Sequence, residues 1–359
     1  MLTVFHIITK LDIGGAENVA MNIAKSKSED YDYHIIEVAK GSSSYTHKMI
    51  EEAKSCHITI HRGIISNAKL AILTFAPRLI SLIRKYSPNV IHTHTEIPDL
   101  SLYLTSLFPF NGLKKCKIVR TIHNNQLWNG WKNIGKRVES YMQTNANIIA
   151  ISQSTQESYR KEYGKQCQII YNGVGSQPSQ RFSKITFGRI NILFAARMEY
   201  QKGIDVMLKV VSHFGNNNQF QFHIVGTGSE KDKVEKELKR FNNIILYDKI
   251  FNLPQYIGSF DYLFMPSLFE GLALTPMEAA FAGTPTIINN VPGLNEVMPN
   301  DWPLKVNDNN IDEYIKIITS LSNMNYEDLQ NRCYSYVKGR FFLDSMQKKY
   351  ERLYREISI

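Results

Sequence analysis

Short apolar runs alternate with helical patterns along nearly the whole chain. TVFHII reads as a strand, and GGAENVAMNIAKS opens a helix with apolar residues at helical spacing. YHIIEVA is a strand again, followed by KLAILTFAPRLISLIRKY, a helical stretch that contains Pro77. NVIHTH and KIVRTIHN read as strands ending in histidine, and ANIIAIS as another before the helix QSTQESYRKEYG. Alternation of this kind predicts an α/β fold, a parallel sheet with helices on both faces. The Gly-, Ser- and Pro-rich stretch IIYNGVGSQPSQRFSKITFGR interrupts it and predicts a domain boundary. The alternation then resumes through RINILFAAR, GIDVMLKVVSHF, FQFHIVGTG, SEKDKVEKELKRF, NIILYD, DYLFMPS and GTPTIINN, and ends in the helical tail LDSMQKKYERLYREISI. Two Rossmann-like, doubly wound domains are expected, at 1–175 and 176–340. Such sheets take ligands at the carboxyl ends of their strands, and two facing domains would share a cleft.

A length of 359 residues suits two domains. No run of eighteen apolar residues occurs, so no membrane-spanning helix is expected. The N-terminus reads as a first strand and not as a signal peptide. Cys56, Cys116, Cys167 and Cys333 are scattered without a CxxC pair. Reduced thiols in the cytoplasm are expected, without structural zinc. Charge adds a polarity to this picture. Residues 1–175 carry 21 Lys and Arg against 13 Asp and Glu, whereas 176–359 carry 21 against 20. A basic first half points to an anionic partner.

The candidate chemistry lies just past the strands. In LDIGGAEN, Gly14 and Gly15 let backbone approach a ligand at a helix N-terminus, or simply turn the chain. In FAARMEYQKG, Arg197 and Lys202 stand five apart at a strand end and can hold a diphosphate, Arg by its fork and Lys as a point charge. Gly226 and Gly228 form another glycine turn. His123 ends a strand. His92 and His94 form an i, i+2 pair, with no third metal ligand visible at suitable spacing, so no metal site is expected. Finally, SLFEGLALTPMEAAFAGTPTI places Glu270 and Glu278 eight apart around Gly271, Leu272 and Thr275. One reading makes Thr275 an N-cap, Pro276 the first helical residue and Glu278 the third, a capping box. The other makes both carboxylates ligand groups.

Taken together, these pieces resemble the family-4 retaining glycosyltransferases of the GT-B fold. GGAE, the histidine-ended strands, AISQSTQES, IIYNGV, AARMEYQKG as R-x4-K-G and FEGLALTPMEA as E-x7-E occur in the family's order. The resemblance implies that Glu278 bonds the nucleotide's ribose and that Glu270 lies by the donor sugar. It puts the backbone at Gly271 and Leu272, with Thr275, against the sugar or phosphates. Arg197 and Lys202 would stabilise the leaving diphosphate, Gly14, Gly15 and Gly226 would line the donor site, and His123 would sit near the sugar. It implies no metal and no cofactor beyond the nucleotide-diphosphate sugar, with UDP favoured over GDP. It also implies that a final helix, 341–359, returns to the N-terminal, acceptor-binding domain, leaving 176–340 to bind the nucleotide sugar. NNVPGLNEV departs from the family's frequent double glycine before a later glutamate, here Glu296.

Family members often extend lipid-linked glycans, as in bacterial surface polysaccharide synthesis. The basic first half, with Trp128 and Trp131 among cations in LWNGWKNIGKR, suits an anionic membrane surface. A peripheral place on the inner face of the cell membrane is expected, and no nucleic-acid partner, since no helix-turn-helix or RNP-like motif is visible. The competing readings are a sugar-nucleotide epimerase, a soluble small-acceptor transferase and a non-catalytic nucleotide-binding protein.

Overall fold

The computed structural model describes residues 1–12 and 14–359. The chain forms two compact units, one of Met1–Gly173 with Leu343–Ile359, the other of Val174–Phe342.

The first unit is built on β1 (Leu2–Ile8), β2 (Tyr31–Glu37), β3 (Thr59–His61), β4 (Val90–His94), β5 (Lys117–Ile122), β6 (Ala146–Ala150) and β7 (Gln168–Ile169). They form one sheet in the order β3-β2-β1-β4-β5-β6-β7, and every pairing is parallel. Strands covered on both faces read as continuous apolar runs, and Val4, Phe5, Ile7 and Ile8 of β1 are fully buried. The parallel register fixes which side chains share a face. His6 lies opposite His92, and His94 opposite Thr121, so these four point one way. Arg120, opposite Thr93, points the other way.

That second face packs against the helices Ala68–Tyr86, Glu96–Ser106 and Lys132–Asn145. Phe5, Ile7, Ile91, Ile118, Phe75 and Leu79 belong to its apolar core. The histidine face is covered by the C-terminal helix Leu343–Ser358. Tyr354 Oη lies 2.6 Å from His92 Nδ1 and Tyr350 Oη 3.0 Å from Thr121 Oγ1. Gln347 Nε2 donates to the Asn22 carbonyl at 2.6 Å, joining that helix to Gly15–Ala24.

The second unit carries β8 (Ile190–Ala195), β9 (Phe220–Val225), β10 (Ile244–Tyr247), β11 (Tyr262–Met265), β12 (Thr286–Asn289) and β13 (Lys305–Val306). Their order is β10-β9-β8-β11-β12-β13, again all parallel. In both sheets the strand order reverses once, between β1 and β4 and between β8 and β11. Loops leaving the carboxyl ends at such a reversal diverge from each other and leave a crevice.

Candidate functional site

The reversal in the second unit explains why segments distant in sequence meet. The loop after β8 holds Arg197 and Lys202, and the loop after β11 holds Glu270. Leu268 N–H donates to the Gln201 carbonyl at 2.8 Å, and Gln201 Nε2 donates to the Phe269 carbonyl at 2.9 Å. Lys202 Nζ then donates to Glu270 Oε1 at 2.6 Å, with both side chains mostly buried. Gly203 takes φ +68, and a Cβ there would stand 1.9 Å from the Pro266 carbonyl oxygen, so only glycine fits. A Cβ on Gly226 would stand 2.0 Å from the Ala196 carbonyl oxygen, so the turn after β9 lies against the residue before Arg197. Arg197 is exposed. Gly293, in the stretch that departs from the family pattern, lies against the backbone of Glu270 and Gly271.

The helix Leu274–Phe281 begins earlier than the capping-box reading requires. Its N-cap is Ala273, which offers no side-chain acceptor, and Thr275 and Pro276 are its second and third residues. Glu278 is therefore the fifth residue, too far along to bond the N-cap N–H, and the capping box does not form. Proline misplaces the start because a missing N–H is tolerated anywhere in the first turn. Leu272 is buried, and Thr275 is half-buried. Glu278 keeps some exposed area, but protein crowds it enough for burial to push its carboxyl up to about 7. No described residue hydrogen-bonds that carboxylate. A crowded carboxylate with no partner is unusual in a folded protein and common in ligand sites.

In the first unit, Gly14 is the N-cap of the helix Gly15–Ala24, and space around Gly15 is open. A residue missed in the sequence holds this end of the sheet together. Glu37, fully buried at the end of β2, accepts from Leu11 N–H at 2.7 Å, Gly41 N–H at 3.0 Å, Gly63 N–H at 3.0 Å and Arg62 Nε at 2.6 Å. One carboxylate thus ties the loops after β1, β2 and β3 together. Thr95, just past β4, takes φ 78 and ψ 171, a region nearly reserved for glycine. Its Oγ1 lies 3.2 Å from Thr9 Oγ1, beside the loop after β1.

His123 follows β5 and is buried, which pushes its imidazole down to about 3. It is neutral near pH 7 and acts there as a hydrogen-bonding group. The fold also supplies what the His92/His94 pair lacked in the sequence. His6, from β1, joins them, with one ring nitrogen from each of the three within 4.8 Å of the others. Five of their six ring nitrogens are already hydrogen-bonded to side chains, and His6 Nε2 has no partner among the described residues. His6 and His94 form a hydrogen-bonded chain with His123, while His92 bonds Tyr354 and Thr121. Trp128 is corrected as well. It is 4% exposed, and its Nε1 donates to Glu139 at 2.7 Å, so it belongs to the core and not to a membrane face. Trp131 is half-buried, with Lys69 Nζ 5.9 Å from its ring centroid.

Residues 13–177 match the family model described as Glycosyltransferase Family 4, and residues 189–324 match Glycosyl transferases group 1. The chain is 25% identical over 378 aligned positions, spanning 99% of both chains, to an uncharacterized 41.2 kDa protein in the cps region of Klebsiella pneumoniae. It is 23% identical to the capsular polysaccharide biosynthesis glycosyltransferase CapH of Staphylococcus aureus, over 83% of this chain and 84% of that one. It is 22% identical, over 78% and 77%, to a Campylobacter jejuni alpha-1,4-N-acetyl-D-galactosaminyltransferase named for a glycan on diNAcBac-PP-undecaprenol. Among solved structures, a glycosyltransferase from Rickettsia africae superimposes with TM-score 0.80 at 21% identity, over 99% and 98% of the two chains. Anabaena HepE, solved with UDP and glucose, gives TM-score 0.80 at 16% identity, over 98% and 99%.

Two parallel-sheet α/β units of this topology define the GT-B fold. The chain is a glycosyltransferase, with homologues in capsule and O-antigen biosynthesis.

Proposed function

We propose that this glycosyltransferase moves a sugar, with retained anomeric configuration, from a UDP-sugar to a lipid-linked glycan at the inner membrane face. The observation that carries the donor reading is Glu278, a crowded carboxylate that no described residue hydrogen-bonds. A ribose offers two hydroxyl donors to such a group. Eight residues before it, Glu270 holds Lys202 at 2.6 Å. A sugar hydroxyl donating to Glu270 and a diphosphate beside Lys202 would use both members of that pair. The acceptor oxygen bonds the anomeric carbon on the face from which the diphosphate leaves. The carbon–oxygen bond to phosphate breaks, and the acceptor's proton passes to the departing phosphate oxygen. Lys202 and Arg197 stabilise the charge left on the diphosphate, and backbone at Gly271, Leu272 and Thr275 lines the donor. UDP is favoured over GDP because HepE was solved with UDP.

For the acceptor, the support is the C. jejuni relative's undecaprenol-linked glycan, together with one surface of the first unit. Leu70, Leu73, Leu107, Phe108 and Phe110 are exposed there, with Lys69, Lys114 and Lys115 nearby in sequence. Ile72, Leu73, Ala76, Leu104, Leu107, Phe108 and Pro109 line one apolar groove. Apolar side chains among cations suit a headgroup region.

Two measurements test the proposal. In a thermal-shift panel, UDP at a hundredfold over its dissociation constant should stabilise the protein by about 2.7 kcal/mol, and GDP by less. Equal shifts would sink the UDP preference. In flotation with anionic liposomes, Leu73→Ser with Phe110→Ser should lose binding. Equal flotation of wild type with neutral and anionic vesicles would remove the anionic surface from the proposal.

A further inference from the structure

Glu270 stands on the loop that leaves β11, and the backbone of that loop is held from two sides within the second unit. On one side is the loop after β8. On the other side stand two asparagine side chains. Asn289, the last residue of β12, is 2% exposed, and its Nδ2 donates to the Ser267 carbonyl at 2.9 Å. Asn309, in the loop after β13, donates from Nδ2 to the Pro266 carbonyl at 3.0 Å. The two amides are joined to each other. Asn309 N–H donates to Asn289 Oδ1 at 3.1 Å, and Tyr314 Oη donates to Asn309 Oδ1 at 2.8 Å.

Neither amide can be turned over. Asn289 Oδ1 meets a backbone N–H and its Nδ2 a carbonyl, so each end faces the only kind of group it can bond. A turned Asn309 would set its oxygen against the Pro266 carbonyl oxygen. Asn309 also takes φ 51, a left-handed conformation that asparagine, aspartate and glycine adopt more readily than other residues.

The loop can now be followed residue by residue. The Pro266 carbonyl bonds Asn309 and the Ser267 carbonyl bonds Asn289. Leu268 N–H and the Phe269 carbonyl bond Gln201, and the Glu270 carboxylate bonds Lys202. Gly293 lies against the end of the loop, since a Cβ there would stand 2.1 Å from the Glu270 carbonyl oxygen. Each residue from 266 to 270 is fixed by a contact with another loop or strand end. Both ends of the Asn289 and Asn309 amides are bonded within the unit, so their part is to hold the loop.

We infer that Asn289 and Asn309 are positioning residues for sugar transfer, fixing the Pro266 and Ser267 carbonyls so that Glu270 meets both Lys202 and the donor sugar. The inference rests on reading Glu270 as the carboxylate beside that sugar. A reacting group misplaced by about 1 Å can cost a hundredfold in rate.

Asn309→Asp tests it. Aspartate keeps the left-handed backbone, the N–H to Asn289 and an acceptor for Tyr314, but turns an oxygen towards the Pro266 carbonyl. Activity is read as release of UDP from UDP-glucose or UDP-N-acetylgalactosamine, whichever the wild type turns over faster. The variant should lower kcat about tenfold, with KM for the nucleotide sugar and affinity for UDP changed by less than about twofold. The Leu268 amide, held by the Gln201 carbonyl, should exchange with deuterium faster than in wild type. If Asn309→Asp does not fold, Asn309→Gly suits the same backbone, removes the donor without the clash, and carries the same expectation. A folded variant with unchanged Leu268 exchange, or with unchanged kcat, overturns the inference. So does a fall in kcat matched by lost UDP affinity, which marks a general loss of structure. Glu270→Gln separates the two readings. If it leaves kcat unchanged, Glu270 is not the carboxylate beside the sugar and the site reading fails. If it lowers kcat while Asn309→Asp does not, only the positioning role fails. A wild type that turns over neither nucleotide sugar overturns the donor reading, and Leu268 exchange then decides alone whether the amides hold the loop.

Discussion

Two charged regions of this chain contrast sharply. In the first unit, Arg120 is 1% exposed and fully engaged. Its Nε donates to Asp99 at 2.7 Å, and its two terminal nitrogens donate to Glu139 at 2.7 and 2.6 Å. Glu139 also accepts from Trp128 Nε1 and Tyr159 Oη. Burial opposes the charge on Glu139, but these bonds outweigh it and hold its carboxyl below the usual value. In the second unit, Glu278 is crowded by protein but hydrogen-bonds none of the described residues, and burial alone pushes its carboxyl up to about 7. A buried charge with every bond made is part of the framework. One left open is a candidate ligand group.

Removing Glu139 should have the largest effect on stability. Glu139→Ala leaves Arg120 without its paired acceptor and should cost about 3–5 kcal/mol in a denaturant titration. A loss below about 1 kcal/mol would put Arg120 and Glu139 on the same footing as exposed pairs.

Glu278→Gln should act in the opposite direction. Folding raises the carboxyl from 4.5 to about 7. The folded chain therefore holds that proton more tightly, and its contribution to stability is present below 4.5 and lost as pH rises through 7. At pH 8 the free protein carries a burial penalty of up to about 3 kcal/mol, which glutamine removes. The variant should melt higher than wild type at pH 8, converge with it near pH 4, and lose its thermal shift with UDP. A variant that melts lower at pH 8 would mean that Glu278 has a structural partner after all.

Lys202 sharpens the contrast, because its ion pair with Glu270 is short and mostly buried yet sits among loops. Lys202→Met should slow sugar transfer about a hundredfold, equivalent to about 2.7 kcal/mol, and, by leaving the mostly buried Glu270 without its ion-pair partner, should cost less stability than Glu139→Ala, about 1–3 kcal/mol. A large loss of stability with an unchanged rate would place this pair with Arg120. The smallest effect is expected for Asp99→Asn. Burial raises that carboxyl to about 6 against the pull of Arg120, so an amide there should change stability at pH 7 by about 1 kcal/mol or less.

How much of this was legible depended on distance along the chain. Strand and helix alternation predicted both parallel sheets, because side-chain periodicity is local. Arg197, Lys202 and Glu270 could be named as candidates because a strand-end position is itself a local signal, and Glu278 because it stands eight residues from Glu270. Glu37 could not, since its four bonds go to Leu11, Gly41, Arg62 and Gly63, and only the β3-β2-β1 order brings those loops to one carboxylate. Trp128 looked like a membrane residue among lysines, and its burial follows from Glu139, eleven residues on, turning inward to Arg120.

The sequence by itself indicated the central strands, the two-sheet class and the pair of glutamates around Gly271. It left open whether Glu278 caps a helix, because Thr275 and Pro276 allow more than one start. Tertiary structure decided that by beginning the helix at Leu274, out of reach of a capping box. It also set three histidines from β1, β4 and the end of β5 in one line, which no spacing in the chain announces. The histidine line depends on where parallel strands place their neighbours, and a parallel neighbour is reached only through a long crossover.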